Sequence, residues 1–209
     1  MKTILIASRK GGAGKTTLAK NLAVAASQDG GLSMMMDMDP QGSLRERYDA
    51  REAQKPVMPA RDPKPTELAR TIEAARKHGV DYLFIDTPPT SEDWLLDAMK
   101  LADLVVVPVR PSPTDLRAVR TTLASARKAQ AEYCFVLCQT ARTKISLEAA
   151  RALAQHGRLA PSDIMIRVVH AETDVSGLSA IEGGDAKAKT ELAATWEFIK
   201  EVLNGQTTI

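Results

Sequence analysis

Residues 10–17 of the chain read Lys-Gly-Gly-Ala-Gly-Lys-Thr-Thr, between an apolar, β-branched run at 3–8 and a helical pattern that begins at Lys15. Glycines let backbone N–H groups turn inward around an anion, and the start of a helix adds the positive end of its dipole. A strand, a glycine-rich turn, a lysine followed by a hydroxyl, and a helix are typical of a loop that cradles nucleotide phosphates. The strict pattern of such loops places a glycine where this chain has Arg9.

Each residue of this loop has a predicted part in binding ATP and Mg²⁺. The ammonium group of Lys15 can reach the β- and γ-phosphates, and the hydroxyl of Thr16 suits a Mg²⁺ ion that bridges the same phosphates. A glycine-rich turn without a ligand is the alternative, and the order of strand, loop and helix argues against it. The other residues predicted to contact the nucleotide are Gly11, Gly12, Ala13, Gly14 and Thr17.

The rest of the chain alternates between short apolar runs and helical patterns. We expect strands at 3–8, 33–36, 82–85, 104–107, 134–138 and 164–169, and helices at 15–28, 66–78 with Thr66 as N-cap, 114–130, 147–156 and 185–203. Such alternation predicts βαβ units and a parallel sheet covered on both faces. The predicted fold is therefore α/β, with residues 1–209 forming a single P-loop domain around one doubly wound, mostly parallel sheet.

Composition sets bounds on the function. The chain has 209 residues, 44% of them hydrophobic, and a formal net charge of +2, which is too small to indicate a nucleic-acid or membrane partner by itself. No apolar stretch approaches the roughly 20 residues of a membrane span, and the first residues do not form a signal peptide. We expect a cytoplasmic protein in which Cys134 and Cys138 are buried, reduced side chains.

Three aspartates follow predicted strands. Asp37 and Asp39 alternate after the second strand and so point to the same side, and Asp86 ends the third. Ligands of such sheets bind at the carboxyl ends of the strands, where carboxylates can hold Mg²⁺ through water or orient an attacking water. A turn formed by Asp39-Pro40, with Asp37 as a cap, is the alternative; for Asp86 it is a capping role at the strand end.

The loop resembles the deviant Walker A motif of the ParA/MinD family of ATPases, because Lys10 directly precedes its glycines. Residues 37–41, Asp-Met-Asp-Pro-Gln, are similar to the family's switch motif, and 84–89, Phe-Ile-Asp-Thr-Pro-Pro, are similar to its Walker B strand. This resemblance implies that Lys10 reaches across a dimer interface to the partner's nucleotide and that Asp39 positions the hydrolytic water. It also implies that Asp37 lies near the metal and that Asp86 is tied to Mg²⁺ through water.

Residues 107–115, Val-Pro-Val-Arg-Pro-Ser-Pro-Thr-Asp, look like a stretch of the small plasmid-partition ATPases of the ParA type, which lack an N-terminal DNA-binding domain. The resemblance covers nearly the whole chain and is weakest at 51–65, which contains four prolines and is predicted to be a surface loop. It implies an ATP-bound homodimer, non-specific DNA binding, and a ParB-like or other small partner that stimulates hydrolysis. Gln139 and Arg142 are the candidate contacts for adenine.

Two groups of basic residues are candidates for contacts with DNA. Four of them fall within one arc of the helix at 114–130, beside an apolar stripe, and two begin the last helix. A solvated charged face is the alternative. The six residues are Arg117, Arg120, Arg127, Lys128, Lys187 and Lys189.

Other functions of the same fold remain open. The apolar stripe of the last helix is needed to cover the sheet, and only 204–209 follow it, so we expect no membrane anchor. The resemblance to ParA-type ATPases implies a nucleoid-associated protein. The loop begins at residue 10, which leaves no room before it for a helix-turn-helix.

Partition of plasmid or chromosome DNA is the first hypothesis, and positioning of a protein cargo is the second. A metabolic or signalling enzyme is the third, whereas iron-protein chemistry is disfavoured because Cys134 and Cys138 share one strand.

Overall fold

The computed structural model describes residues 1–53, 55–89 and 93–205 and contains one seven-stranded sheet. Its spatial order is β2-β3-β1-β4-β5-β6, with β7 also paired to β5, and each of the recorded pairings is parallel. This confirms the predicted doubly wound α/β fold. The strands are β1 (Lys2–Ile6), β2 (Ser33–Asp37), β3 (Tyr82–Asp86), β4 (Leu104–Val109), β5 (Tyr133–Thr140), β6 (Arg158–Leu159) and β7 (Ile164–Met165).

Helices cover both faces of this sheet. They are α1 (Lys15–Gln28), α2 (Ser43–Asp49), α3 (Leu68–Lys77), α4 (Asp93–Leu101), α5 (Pro113–Lys128), α6 (Lys144–Ala154), α7 (Val168–Asp174) and α8 (Ala186–Leu203). Side chains of α1 and α8 pack with Ile4 and Ile6 into one core, and those of α3, α4, α5 and α6 pack with Leu5 into the other. Because successive strand residues face opposite sides, the one sheet supports two cores. The described helices include none that is long and apolar enough to span a membrane.

Two sequence-based boundaries were wrong. Thr66 is not the N-cap of a helix, because Pro65 begins a short 3₁₀ turn over Pro65–Glu67 and Glu67 occupies the N-cap position of α3. The strand predicted at 164–169 ends at Met165, and the chain then forms α7. Arg167 pairs there with Asp185 and Glu191 around the start of α8, and these tertiary contacts turn the chain away from the sheet.

Within the proline-rich segment, residues 55–65 run beside the edge strand β2. The amide of Val57 donates to the carbonyl of Ser33 at 3.0 Å, and the amide of Met35 donates to the carbonyl of Val57 at 2.8 Å. Asp62 accepts hydrogen bonds from the amide of Asp37 at 3.0 Å and from Arg45 Nε at 2.9 Å. The segment therefore covers a sheet edge and is attached to the end of β2, where candidate site residues lie.

Both cysteines are free and buried in β5. Burial is the largest influence on each: it raises the pKa of the Cys138 thiol to about 12 and also raises that of Cys134. Both side chains belong to the core on the α1 face. The prediction that they are buried, reduced side chains agrees with these contacts.

Candidate active site

The glycine-rich loop connects β1 to α1 at the carboxyl edge of the sheet. Gly12 and Gly14 have φ values of +71° and +97°, in the left-handed region that side chains disfavour. Gly14 is the N-cap of α1, and no described side chain caps this helix end. The first N–H groups of α1 are therefore left for another acceptor, which is the arrangement that binds phosphate at a helix start.

Lys15, Thr16 and Asp86 meet directly behind this loop. Lys15 is only 6% exposed, and burial lowers its pKa although the charges of Asp86 and Asp39 oppose the shift. Thr16 Oγ1 donates to Asp86 Oδ2 at 2.5 Å. Asp86 is fully buried, and burial raises its pKa to about 7 despite the bond from Thr16. The loop lysine and the two residues predicted to serve the metal thus form one buried cluster.

These residues fit a Mg²⁺ ion. Asp86 Oδ1 is buried and has no hydrogen-bond partner among the described residues, so a strong acceptor is left unsatisfied beside the Thr16 hydroxyl. The described residues contain no group of three or more His, Cys, Asp or Glu side chains that could hold a metal alone. Mg²⁺ characteristically takes one or two protein ligands and completes its shell with water and phosphate oxygens. When bound, it would neutralise phosphate charge.

Asp37 caps the helix that follows it. Its Oδ1 accepts from the amide of Asp39 at 2.9 Å, and its Oδ2 accepts from the amides of Leu44 and Arg45 at 2.8 and 3.0 Å. Burial raises its pKa in spite of these bonds, and β2 pairs it in register with Asp86 of β3. The capping role considered from the sequence is present, and the predicted place near the metal remains a prediction.

Asp39 is more accessible than Asp37. Its Oδ1 accepts from the amide of Gln41 at 3.0 Å, and its Oδ2 makes no hydrogen bond within the described part of the chain. The residue is half-buried, and it lies close enough to Lys15 for its charge to oppose the lowering of that lysine's pKa. A carboxylate oxygen with an open lone pair at this position can hold a water molecule.

Lys10 lies on the side of the loop that faces β4 and α5. Its side chain is half-buried, and its positive charge is one of those that act on Asp115. Burial tends to raise the pKa of Asp115, but hydrogen bonds from Arg110 and Ser112 and the charges of Arg110 and Lys10 hold it below its usual value. The two lysines of the motif therefore occupy different environments, Lys15 next to Asp86 and Lys10 near Asp115.

A cavity of about 350 Å³ adjoins the loop on the β5 side. Gln139, predicted as an adenine contact, lines it and also donates from Nε2 to the carbonyl of Gly12 at 2.8 Å. Arg142 lies instead in a separate depression around the start of α6, so the structure does not bring it to this cavity. The backbone of Gln139 has a φ of +53°, and the residues after it turn away towards α6.

The opposite wall of the cavity consists of residues that the sequence analysis did not select. Arg167, His170 and Asp174 line it together with Ile166. The predicted strand at 164–169 included Arg167 and ended before His170 and Asp174, so the helix that carries these two residues was missed. The available signal was the spacing of the three polar residues, which follow one another at i, i+3 and i+7, as on one side of a helix.

The six candidate DNA contacts are exposed but do not share a surface element. Arg117, Arg120, Arg127 and Lys128 lie on the solvent side of α5, whose Val119 and Leu123 pack against the sheet as predicted. Lys187 and Lys189 begin α8, which covers the opposite face. The structure therefore separates the arc on α5 from the pair on α8.

Comparison with known proteins places these features in context. The family profile described as CbiA, the CobQ/CobB/MinD/ParA nucleotide binding domain, matches residues 4–176. The chain is 28% identical to maintenance of carboxysome distribution protein A of Halothiobacillus neapolitanus, over 96% of each chain. It is 29% identical to the chromosome-partitioning ATPase Soj of Thermus thermophilus, over 63% of this chain and 64% of that protein. The fold matches the septum site-determining protein MinD of Pyrococcus horikoshii, solved with Mg-ADP, with a TM-score of 0.80 and 20% identity, over 100% of this chain and 99% of that one.

Proposed function

The chain belongs to the CobQ/CobB/MinD/ParA nucleotide-binding family, and from this premise we propose that it is an ATPase whose ATP-bound homodimer binds DNA without sequence preference. Partition of plasmid or chromosome DNA is the process that this activity would serve. The observation that carries the proposal is the loop with two lysines, in which Lys15 is buried beside Thr16 and Asp86 while Lys10 is only half-buried.

The buried cluster accounts for nucleotide binding. The free N–H groups at the start of α1 would donate hydrogen bonds to phosphate oxygens, and Lys15 would supply a positive charge in a site of low dielectric. Thr16 and Asp86 would hold Mg²⁺ between them. The cavity bounded by Gln139 and by 164–174 has the size and the position for the base.

Asp39 and Lys10 would supply the two parts of an ATP-driven switch, hydrolysis of ATP and closure of the dimer. The oxygen of Asp39 that makes no hydrogen bond to a described residue, Oδ2, would orient the attacking water. Because a single carboxylate would act without a second general base, we expect hydrolysis to be slow. Lys10 would bind the nucleotide of a second subunit, so that ATP closes the dimer and hydrolysis reopens it. A ParB-like or other small protein would shorten the ATP-bound state.

The exposed arc on α5 is the proposed DNA surface. Contacts of Arg117, Arg120, Arg127 and Lys128 with phosphates need no base recognition, and doubling the surface in a dimer would strengthen binding. Such a protein would be cytoplasmic and associated with the nucleoid.

A second function, positioning of a protein cargo on the nucleoid, is favoured by one finding. The relative from Halothiobacillus neapolitanus, named for maintenance of carboxysome distribution, aligns over 96% of both chains, whereas the partitioning ATPase Soj aligns over 64% of its length. Both functions use the same ATP-dependent binding to DNA and differ in the partner, which neighbouring genes would identify. A metabolic or signalling enzyme would need a site for a second substrate, and we assign none.

Binding to random-sequence duplex DNA tests this proposal. We expect the protein to bind with Mg-ATP but not with Mg-ADP or without nucleotide, and we expect the affinity to fall steeply as salt rises from about 50 to 200 mM, because phosphate contacts release counterions. The Asp39→Ala variant should stay bound longer after ATP is added, since it would hydrolyse ATP more slowly.

A charge-matched control separates the DNA surface from the rest of the protein. Replacing Arg117 and Arg120 by glutamine should weaken DNA binding and reduce the salt dependence, whereas the same change at Arg70 and Arg76, two exposed arginines of α3, should not. Absence of binding in every nucleotide state, with ATP occupancy measured independently, would remove DNA from the account and leave the ATPase assignment standing.

A further inference from the structure

Arg110 directly follows β4, at the sheet edge that carries the phosphate loop. A Cβ atom built on Gly12 would lie 3.7 Å from Arg110 Nη1, so the guanidinium group reaches the leading half of the loop. The side chain is 30% exposed and therefore retains a face towards the space above the loop. Arg110 belongs to the stretch at 107–115 that resembles one in small plasmid-partition ATPases, and no role of its own was predicted for it from the sequence.

The orientation of Arg110 is set by a buried carboxylate. Nε donates to Asp115 Oδ1 at 2.9 Å, and Nη2 donates to Asp115 Oδ2 at 3.3 Å. Asp115 is only 3% exposed and is itself held by Ser112 Oγ, which donates to Oδ2 at 2.5 Å. This two-bond fork fixes the plane of the guanidinium group and leaves Nη1 directed at the loop.

The base cavity indicates which end of the nucleotide lies near Arg110. The cavity is lined by Gly14 and Thr17 but by none of residues 9–13. A nucleotide whose base fills it would extend over Gly14 to Lys15 and Thr16, so the leading half of the loop faces the opposite end of the ligand. The carbonyl of Gly12 is also fixed by Gln139, and this part of the loop is therefore held in place.

We propose that Arg110 is a sensor of the terminal phosphate, donating from Nη1 to the γ-phosphate of ATP bound in the same subunit, with Asp115 as its positioning residue. The inference rests on the proposed nucleotide site and extends it, since it identifies the group that distinguishes ATP from ADP. ADP lacks the phosphate that this contact requires. The contact therefore raises the affinity for ATP and leaves that for ADP nearly unchanged.

Calorimetric titration of Arg110→Gln with a non-hydrolysable Mg-ATP analogue and with Mg-ADP tests the inference. A charge-assisted hydrogen bond of ordinary strength predicts about 10-fold or greater loss of affinity for the ATP analogue, with the ADP affinity within about 2-fold of the wild type. Asp115→Asn should weaken the fork and produce a smaller loss of the same selectivity. Arg76→Gln, which removes an exposed arginine paired with Glu73, is the matched control and should change neither affinity.

Equal losses of affinity for the ATP analogue and for ADP would overturn the inference, because they would mean that Arg110 only maintains the shape of the loop. Unchanged affinities for both would overturn it as well. Wild-type protein that binds neither nucleotide would refute the proposed function and this inference with it, so the two failures are distinguishable. If Arg110→Gln does not fold, Arg110→Lys can be tested in its place. Lysine keeps the charge but cannot form the two-bond fork, so this variant should also lose affinity for the ATP analogue and not for ADP, by a smaller factor.

Discussion

The Lys15→Ala variant is expected to lose at least about 100-fold in affinity for Mg-ATP, because two charge-assisted hydrogen bonds to phosphate oxygens would disappear. Lys15 is buried beside Asp86 and is the first residue of α1, the helix end that no described side chain caps. Burial lowers its pKa in the free protein, and the negative charge of a bound phosphate would favour its charged form. Titration calorimetry measures the loss.

The same variant should fold normally. Alanine removes a buried charge, so the thermal unfolding temperature without nucleotide should remain close to that of the wild type. Lys77→Ala, an exposed lysine on α3, is the control and should bind Mg-ATP as the wild type does. Affinity for ATP that survives in Lys15→Ala would contradict the phosphate-binding role of the loop.

The Asp174→Ala variant is expected to lose about 3–5 kcal/mol of unfolding free energy, the usual cost of leaving a buried charge without its partner. Lys20 is 2% exposed, and its ammonium group donates to Asp174 Oδ1 at 2.5 Å and to the carbonyl of Leu178 at 2.6 Å. The other carboxylate oxygen of Asp174 pairs with Arg47 of α2 at 2.9 Å. Denaturant unfolding of the nucleotide-free protein measures the change.

The loss should depend on pH in a defined direction. Burial is the largest influence on Lys20 and lowers its pKa, and the hydrogen bond that Lys20 donates to Asp174 opposes that shift. Without Asp174 the folded state would bind the Lys20 proton more weakly than the unfolded state, so stability rises with pH. The deficit of Asp174→Ala should therefore be smaller at pH 9 than at pH 7.

Two further variants complete this test. The double variant Lys20→Met/Asp174→Leu removes the buried lysine together with its carboxylate partner and should recover most of the lost stability. Asp97→Ala, whose partner Lys100 is exposed, should cost less than about 1 kcal/mol. A loss below about 1 kcal/mol for Asp174→Ala, or no recovery in the double variant, would show that the pair is not the structural link between α1 and α7.

The phosphate loop and the five longer strands, β1 to β5, were predictable because their signals are local. Glycines, Lys15 and Thr16 follow one another in the chain, and apolar runs such as Leu104–Val109 form buried strands wherever they occur in a parallel sheet. The helix at Ser43–Asp49 was not predicted, since its first amides are capped by Asp37 from a neighbouring strand rather than by a residue at its own start.

The base cavity was not predictable because its far wall depends on contacts between distant parts of the chain. Asn21 Oδ1 accepts from Ser179 Oγ at 2.6 Å and from the amide of Ala180 at 2.8 Å, which fastens the segment after α7 to α1. Arg167 pairs with Asp185 at the start of α8. Pairings over such separations leave no periodic trace in the sequence, and the segment was mistaken for a strand.

Sedimentation of the wild-type protein with a non-hydrolysable Mg-ATP analogue and with Mg-ADP tests most directly whether ATP switches the chain between monomer and dimer. We expect a species of twice the chain's mass with the ATP analogue and a monomer with Mg-ADP. Lys10→Ala should remain monomeric with both while it still binds them. A wild-type monomer at saturating ATP analogue, or a dimer that Lys10→Ala leaves intact, would contradict the account.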